Sequence, residues 1–572
     1  MNKRANIAIM ALTVLALSAC HKDYDKGQLV LLAEGMQGTK LAVAGNASHW
    51  ATGDQVRINS EEATVSIDRS NGTATVSSAS TFSAPFYGVY PAGIYSSNSG
   101  ASYTLNLPRT YTYATTDDDG TTRQNLQSPM VAYAESGNQL LFKHVTAAVG
   151  VQVVNYYGFT IEVDSIVVSS DSYRLNGETS VALAASISVA PVAHSAEGDN
   201  SVVMKFNGGA TLQILAGDSA TVQLPVLPVG AGNHFTVQTY VHKVDQAAVA
   251  KCYEKTQSTG GALGRASIGY ARFTTGGLFS VAADRKVIIS QGNLQYQASS
   301  GTWRFATEQY GFIGDAAGNN TFDDSRATQS AWIDLFGWGT SGWQNTGSDT
   351  IIYYRPYDYQ STRSSQNAYG YGPRHKENYS YSYTYDLTGD YANSDWGIYN
   401  AISNGGNVAG RWRTPTGGSG SEWEYLLSTR TASTIGSTSN ARFVKVSING
   451  TYGAIIFPDE YEHPTRASSI NGSDINNTIY ISWTNVQVIT YEDWAKMEAE
   501  GAVFLPAAGY RSALTTSTST TPTYTANTSI YWSASYNDNY SAKSISVASR
   551  LQSVSTATRA QGNCVRLVHD VE

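Results

Sequence analysis

The residues of this chain that could do chemistry are few and scattered. Thiols come first. Beyond Cys20, only Cys252 and Cys564 remain. A disulfide scaffold, a zinc site and a Cu(I) site each need thiols in close sets. These two lie far apart in sequence, and Cys564 reads as a small buried hydrophobe. Glu422 and Glu424 could be taken as paired carboxylates, but a place at the start of a helix is enough to explain them. Asp315, Asn319, Asp323 and Asp324 could ligate Ca²⁺ through oxygen. Their spacing matches no known loop, and a solvated Asn/Asp turn accounts for them. His194, His234 and His242 lack metal-like spacing. No catalytic constellation emerges, so neither an enzyme nor a cofactor is expected. A structural calcium at Asp315, Asp323 and Asp324 is the one metal candidate.

The stretch Phe504–Leu567 carries binding chemistry instead. Apolar segments bracket Tyr531-Trp532-Ser533-Ala534-Ser535-Tyr536-Asn537-Asp538-Asn539-Tyr540. Tyr supplies contact area at low entropic cost, and Ser and Asn supply adaptable hydrogen bonds. A ligand site is expected on Tyr531, Tyr536, Asn537, Asp538, Asn539 and Tyr540, supported by Arg511 and Arg550. Alternation along a strand would send one of Tyr531 and Trp532 inward and its neighbour outward. The Asn/Asp run should end that strand after Tyr536.

The elements that hold this stretch begin at the N-terminus. Asn2-Lys3-Arg4 is basic, and Ile7–Leu17 is an apolar core too short to span a bilayer comfortably. Leu17-Ser18-Ala19-Cys20 resembles the bacterial lipobox. The resemblance implies cleavage before Cys20 and its acylation, palmitate included, so that the membrane is a partner through a lipid anchor. Residues 21–27 form a polar tether. Charged residues make up only 14% and the net charge is −8. No basic cluster exists to neutralise phosphates, so nucleic acid is excluded as a partner.

From residue 28 onward, short alternating segments are separated by polar turns, as in a β-rich chain. Trp50/Gly53/Asp54, Tyr90/Pro91 and Phe142/Lys143/His144 stand in that order. The ordered set resembles the fimbrillin family of pilins and pilus-associated lipoproteins. It implies two transthyretin-like β-sandwich domains, at 28–150 and 151–276. Trp50 and Phe142 read as core, and His144 as a packed junction residue. Members of that family can lose their first strand by cleavage after a basic residue. Here the cut would fall at Lys40, leaving a groove for a neighbouring subunit's strand.

The last region, 277–572, shows five further motifs. They are Trp412/Arg413/Pro415/Thr416, Glu422/Trp423/Glu424/Tyr425, Gly509/Tyr510/Arg511, Trp532/Ser533/Ser535 and Val565/Arg566/Leu567/Val568. Ser421 is the expected cap of a short helix. The set resembles the C-type-lectin-like fold in its formylglycine-generating-enzyme branch, which includes the major paralogous domains of Fibrobacter and Bacteroides surface proteins. The oxidase of that branch uses two neighbouring cysteines, and this region has one. Lectin-fold domains that some bacteria diversify by retroelements are also similar, in the run Tyr536–Tyr540.

The sequence thus predicts a mainly β chain. A signal peptide at 1–20 and a tether at 21–27 precede two β-sandwich domains and a mixed α+β lectin-like domain. Its expected role is a surface lipoprotein of the outer membrane, associated with fimbriae, that binds a glycan or a surface protein. Other pilus subunits are further expected partners. The alternatives are a structural pilus subunit, a formylglycine-generating-type enzyme and a diversified retroelement target.

Overall fold

A computed structural model describes residues 28–38, 50–68, 73–77, 82–99, 102–116, 123–183, 187–207, 210–244, 251–315, 318–321, 330–344, 350–351, 355–356, 372–377, 380–513 and 522–571. Cys20, Lys40, Asp323 and Asp324 lie outside the described residues. The chain is mainly β.

In the first region, alternation puts Leu29, Leu31, Val56, Ile58, Val65, Val76, Leu140 and Phe142 on one face. That face curls into a closed barrel. Its order is Gln28–Ala33, Gln139–His144, Met130–Ala134, Phe86–Tyr90, Gln55–Ile58, Glu61–Asp68 and Thr73–Ser77. The first strand closes the barrel, parallel to Gln139–His144 and antiparallel to Thr73–Ser77. The Trp50–Asp54 turn works as core packing. Gly53 sits at φ +95°, a conformation that costs glycine little. Asp54 accepts from Ala51 N at 2.9 Å and from the Tyr90 hydroxyl at 3.1 Å. Trp50 packs edge-on to Phe142 at 5.0 Å and Tyr90 at 5.1 Å. His144 is buried at the junction, its ring between Ser128 Oγ at 2.9 Å and the Glu34 carbonyl at 3.0 Å. Burial lowers its pKa below the ordinary imidazole value, against the opposing pull of Glu34.

The second region is two facing sheets. One orders Ser219–Val226, Ala147–Tyr156, Ser267–Gly276 and Gln37–Gly38. The other orders Lys251–Ser258, His234–Lys243, Ile161–Ser170, Ser201–Lys205 and Thr110–Thr112. Val149, Val151 and Val153 meet Ile161, Val163, Ile166 and Val168 between them. Residues 95–99 and 102–112 reach across from the first region. Tyr95–Ser99 and Ser102–Leu107 form a small sheet with Gly177–Ala182. It covers the outside of the barrel at Val89 and Val131.

The second region meets the third through direct bonds. Tyr157 donates to the Ala499 carbonyl at 2.5 Å, Lys243 to the Thr307 carbonyl at 2.8 Å, and Gln291 N to the Gly158 carbonyl at 3.0 Å. Arg411 pairs with Asp218 at 2.9 Å.

The third region is built of short sheets and short helices. Ser421 caps its helix as expected, accepting from Glu424 N. The five sequence motifs meet here. Arg413 bridges Val568, Tyr531 bridges Cys564 and Arg511 bridges Gly562. Arg413 holds Glu422 at 2.7 Å and Asp570 at 2.6 Å. Glu422 also accepts from Thr416 N at 2.8 Å, which ties the Trp-Arg-x-Pro-Thr segment to the helix. Among the described residues, no helix is long and apolar enough to cross a membrane.

Candidate functional site

The expected site is built on the strand Ser529–Tyr536, which pairs with Ser541–Val547. This strand is buried on both faces for most of its length. Tyr531 packs into one apolar core and Trp532 into another. The expectation that one of the two faces out is therefore corrected. Alternation sends them to opposite faces, but packed layers cover both faces. Tyr531 donates to the Pro506 carbonyl at 2.7 Å and Trp532 Nε1 to the Phe336 carbonyl at 2.7 Å, so each polar edge is satisfied inside.

The strand reaches the surface at Tyr536 and ends there, as the Asn/Asp run predicts. Tyr536 is 43% exposed and Tyr540 52%. The turn between them is held by its own side chains. Asp538 accepts from Tyr540 N and Ser541 N, each at 2.8 Å. Asn537 donates to Asp538 and to Ser541 Oγ, each at 2.8 Å. Burial pushes the Asp538 carboxyl up, but these donors more than offset it and hold its pKa below the usual value. Asp538 and Asn537 thus shape the turn. Asn539 is half-buried, and its carbonyl accepts from Arg559.

Four supports escaped sequence reasoning. Asp386 accepts from Tyr536 N at 2.9 Å, and Leu387 N donates to the Ala534 carbonyl at 2.7 Å. Arg559 N donates to the Tyr540 carbonyl at 2.9 Å. Trp338 Nε1 donates to the Ser533 carbonyl at 2.8 Å, just beneath the turn. Next to Asp386, Tyr385 and Tyr391 stack at 4.3 Å. Nothing in the spacing of Asp386 or Arg559 points to this loop, since each lies in another segment of the chain.

The two arginines do not join the tyrosines. Arg511 is buried, with its guanidinium 3.5 Å from the Asn320 carbonyl, so it is a frame residue. Arg550 is exposed, but it sits in the turn after Ser541–Val547. That turn and the tyrosine loop lie at opposite ends of one strand, about 20 Å apart for six steps of ~3.3 Å. The expected site therefore contracts to Tyr536, Tyr540 and the turn between them.

The metal candidates fare differently. Asp315 accepts from Asn320 N at 2.9 Å and from Thr321 Oγ1 at 2.7 Å, so both oxygens serve its own turn. Among the described residues, no group of three or more His, Cys, Asp or Glu is placed to hold a metal. Below this turn, Asp334 is buried and accepts from Ile313 N at 2.7 Å and Asn320 Nδ2 at 2.9 Å. Burial pushes its carboxyl up to about 6, despite those donors. Cys564 is buried, and desolvation pushes its thiol up, away from the reactive thiolate.

No known family and no curated protein matches the chain. Solved structures do align. A candidate cell adhesion protein from Bacteroides fragilis is 14% identical at a TM-score of 0.25, over 50% of this chain and 100% of its own. A fimbrial protein from Bacteroides ovatus is 11% identical at 0.21, over 95% and 99%. A fimbrial protein from Bacteroides vulgatus is 10% identical at 0.19, over 38% and 76%. Overlap at that level transfers neither function nor site to this chain.

Proposed function

We propose that this chain is a lipid-anchored adhesin of the outer cell surface whose third region binds a glycan or a surface protein. The observation that carries the reading is the loop. Two tyrosine rings stand exposed on a turn fixed by Asp386, Asp538 and Arg559. A turn held this way loses little freedom when it binds. Exposed rings beside amides suit a sugar ring or a peptide edge. The five ordered motifs support a lectin-like reading of 277–572. The regions at 28–150 and 151–276 serve as a spacer or pilus joint, with other pilus subunits as partners. The elevated thiol of Cys564 favours a structural over a catalytic role.

Tyr536→Ala and Tyr540→Ala should each weaken ligand binding by about 1–2 kcal/mol, or ~5–30-fold. Both variants should melt within about 0.5 kcal/mol of the parent. Titration against a glycoprotein captured on the parent chain, beside thermal melts, checks this. Normal melts with unchanged affinity would reduce the loop to a plain surface turn.

Anchoring has its own test. Cys20→Ala should move the protein from the membrane fraction to the soluble fraction, because one residue carries the acyl chains. Incorporation of a palmitate analogue should vanish with it. Undiminished incorporation in the variant would end the lipoprotein reading.

A further inference from the structure

The outside of the barrel has two kinds of wall. Over Gln55–Ile58, Glu61–Asp68 and Thr73–Ser77, the outward residues include Gln55, Arg57, Glu62, Thr64, Ser66 and Thr75, all polar. The opposite wall carries a band of apolar residues, with Gln139 and Lys143 flanking Leu141 on its outer face. Its far part lies under the small sheet, where Val89 and Val131 pack against Tyr103, Leu105 and Val181. That cover stops at one row. Leu32 is 45% exposed, Leu141 43% and Tyr133 36%.

These residues are neighbours across adjacent strands. Leu32 is the direct partner of Leu141, and Tyr133 of Tyr87. The register that pairs Ala132 with Phe142 sets Tyr133 beside Leu141. The Tyr87 and Tyr133 rings are 5.4 Å apart. Single exposed apolar residues need no explanation, but a row across four strands marks an interaction surface.

On Gln139–His144, Met130–Ala134 and Phe86–Tyr90 the row lies toward the end of the barrel where the chain enters, and on the first strand Leu32 stands four residues past Gln28. Val30 N donates to the Asn138 carbonyl, at the turn that joins Met130–Ala134 to Gln139–His144. By sequence, the seven residues 21–27 separate Cys20 from Gln28, which makes eight Cα-to-Cα steps. That length of chain spans at most about 28 Å when fully extended. An acylated Cys20 would therefore keep this end of the barrel close to the bilayer.

We infer that the Leu32–Leu141–Tyr133–Tyr87 wall lies against a lipid surface. This rests on the proposed acylation of Cys20. The acyl chains supply the attachment and a high local concentration of bilayer. The row supplies orientation, with leucines at the apolar boundary and tyrosine hydroxyls toward the headgroups. The barrel then lies on the membrane by one wall, and its polar wall faces away.

The test uses the acylated full chain with Cys252→Ser, because Cys252 is exposed and Cys564 is buried. A bimane label is placed at Leu141→Cys or, on the opposite wall, at Thr64→Cys. Each chain is reconstituted into phosphatidylethanolamine/phosphatidylglycerol vesicles that contain nitroxide-headgroup lipid. Tyr133→Cys replaces Leu141→Cys if the latter fails to melt like the parent. Quenching should be several-fold stronger at 141 than at 64. Equal quenching at both, or none at either, overturns the proposal. Shielding of 141 from iodide without lipid quenching would assign the wall to a second copy and also overturn it. The mass of the N-terminal peptide separates the two failures. An unmodified Cys20 ends the anchor reading and this docking together, whereas an acylated chain with equal quenching ends the docking alone.

Discussion

Trp532→Ala should destabilise the third region by about 3–5 kcal/mol, a large share of the stability of an ordinary domain. The indole is fully buried between Phe336, Trp338 and the residues around Val565 and Leu567. Truncation removes its contacts, opens a cavity and leaves the Phe336 carbonyl without its indole donor. Urea melts of the parent and variant measure the loss. The same melts on Tyr536→Ala and Tyr540→Ala should overlay the parent. If those two variants melt like Trp532→Ala, the tyrosines are core residues and the site lies elsewhere.

Glu422→Gln should cost about 3 kcal/mol, the low end for breaking a buried ion pair, because Arg413 keeps Asp570 as a partner. The carboxylate is buried and takes Arg413 by two nitrogens, at 2.8 and 2.7 Å. Arg285 adds a contact at 3.1 Å. Burial pushes the Glu422 carboxyl up, but hydrogen bonds and charge from Arg413 more than reverse that and hold it below its ordinary value. A depressed carboxylate stabilises the fold above its unfolded pKa, ~4.3. That contribution disappears as pH falls through the lower folded value. The parent should therefore lose stability steeply in that acid window, and Glu422→Gln should lose less there. Parallel curves for the two proteins would show that the pair contributes little.

Much of the frame was legible because period-two alternation and ordered motifs report local facts. Ser421, Trp50, Phe142, His144 and Trp532 sit where their sequence contexts place them. The turn at 537–540 was legible for the same reason: consecutive Asn and Asp disfavour a strand. The rest depended on layers and distant partners. Alternation shows that Tyr531 and Trp532 face opposite ways, but it cannot count the layers that cover each face. Arg511 is an expected support of the ligand site, and arginine is rarely buried. Its placement instead follows from the bridge to Gly562 and the nearby Asn320 carbonyl. Arg550 is close to the loop in sequence, yet a strand's length carries it away. Asp386 supports Tyr536 from 150 residues away, and only the fold brings it there.

The central claim is that the exposed tyrosine loop binds a ligand. The most direct measurement applies the parent protein and its Tyr536→Ala/Tyr540→Ala double variant to one array of glycans and surface glycoproteins. The account predicts a defined set of bound spots for the parent and loss of those spots for the double variant, with matching thermal melts. Retention of the same spots at the same intensity by a folded double variant would contradict it.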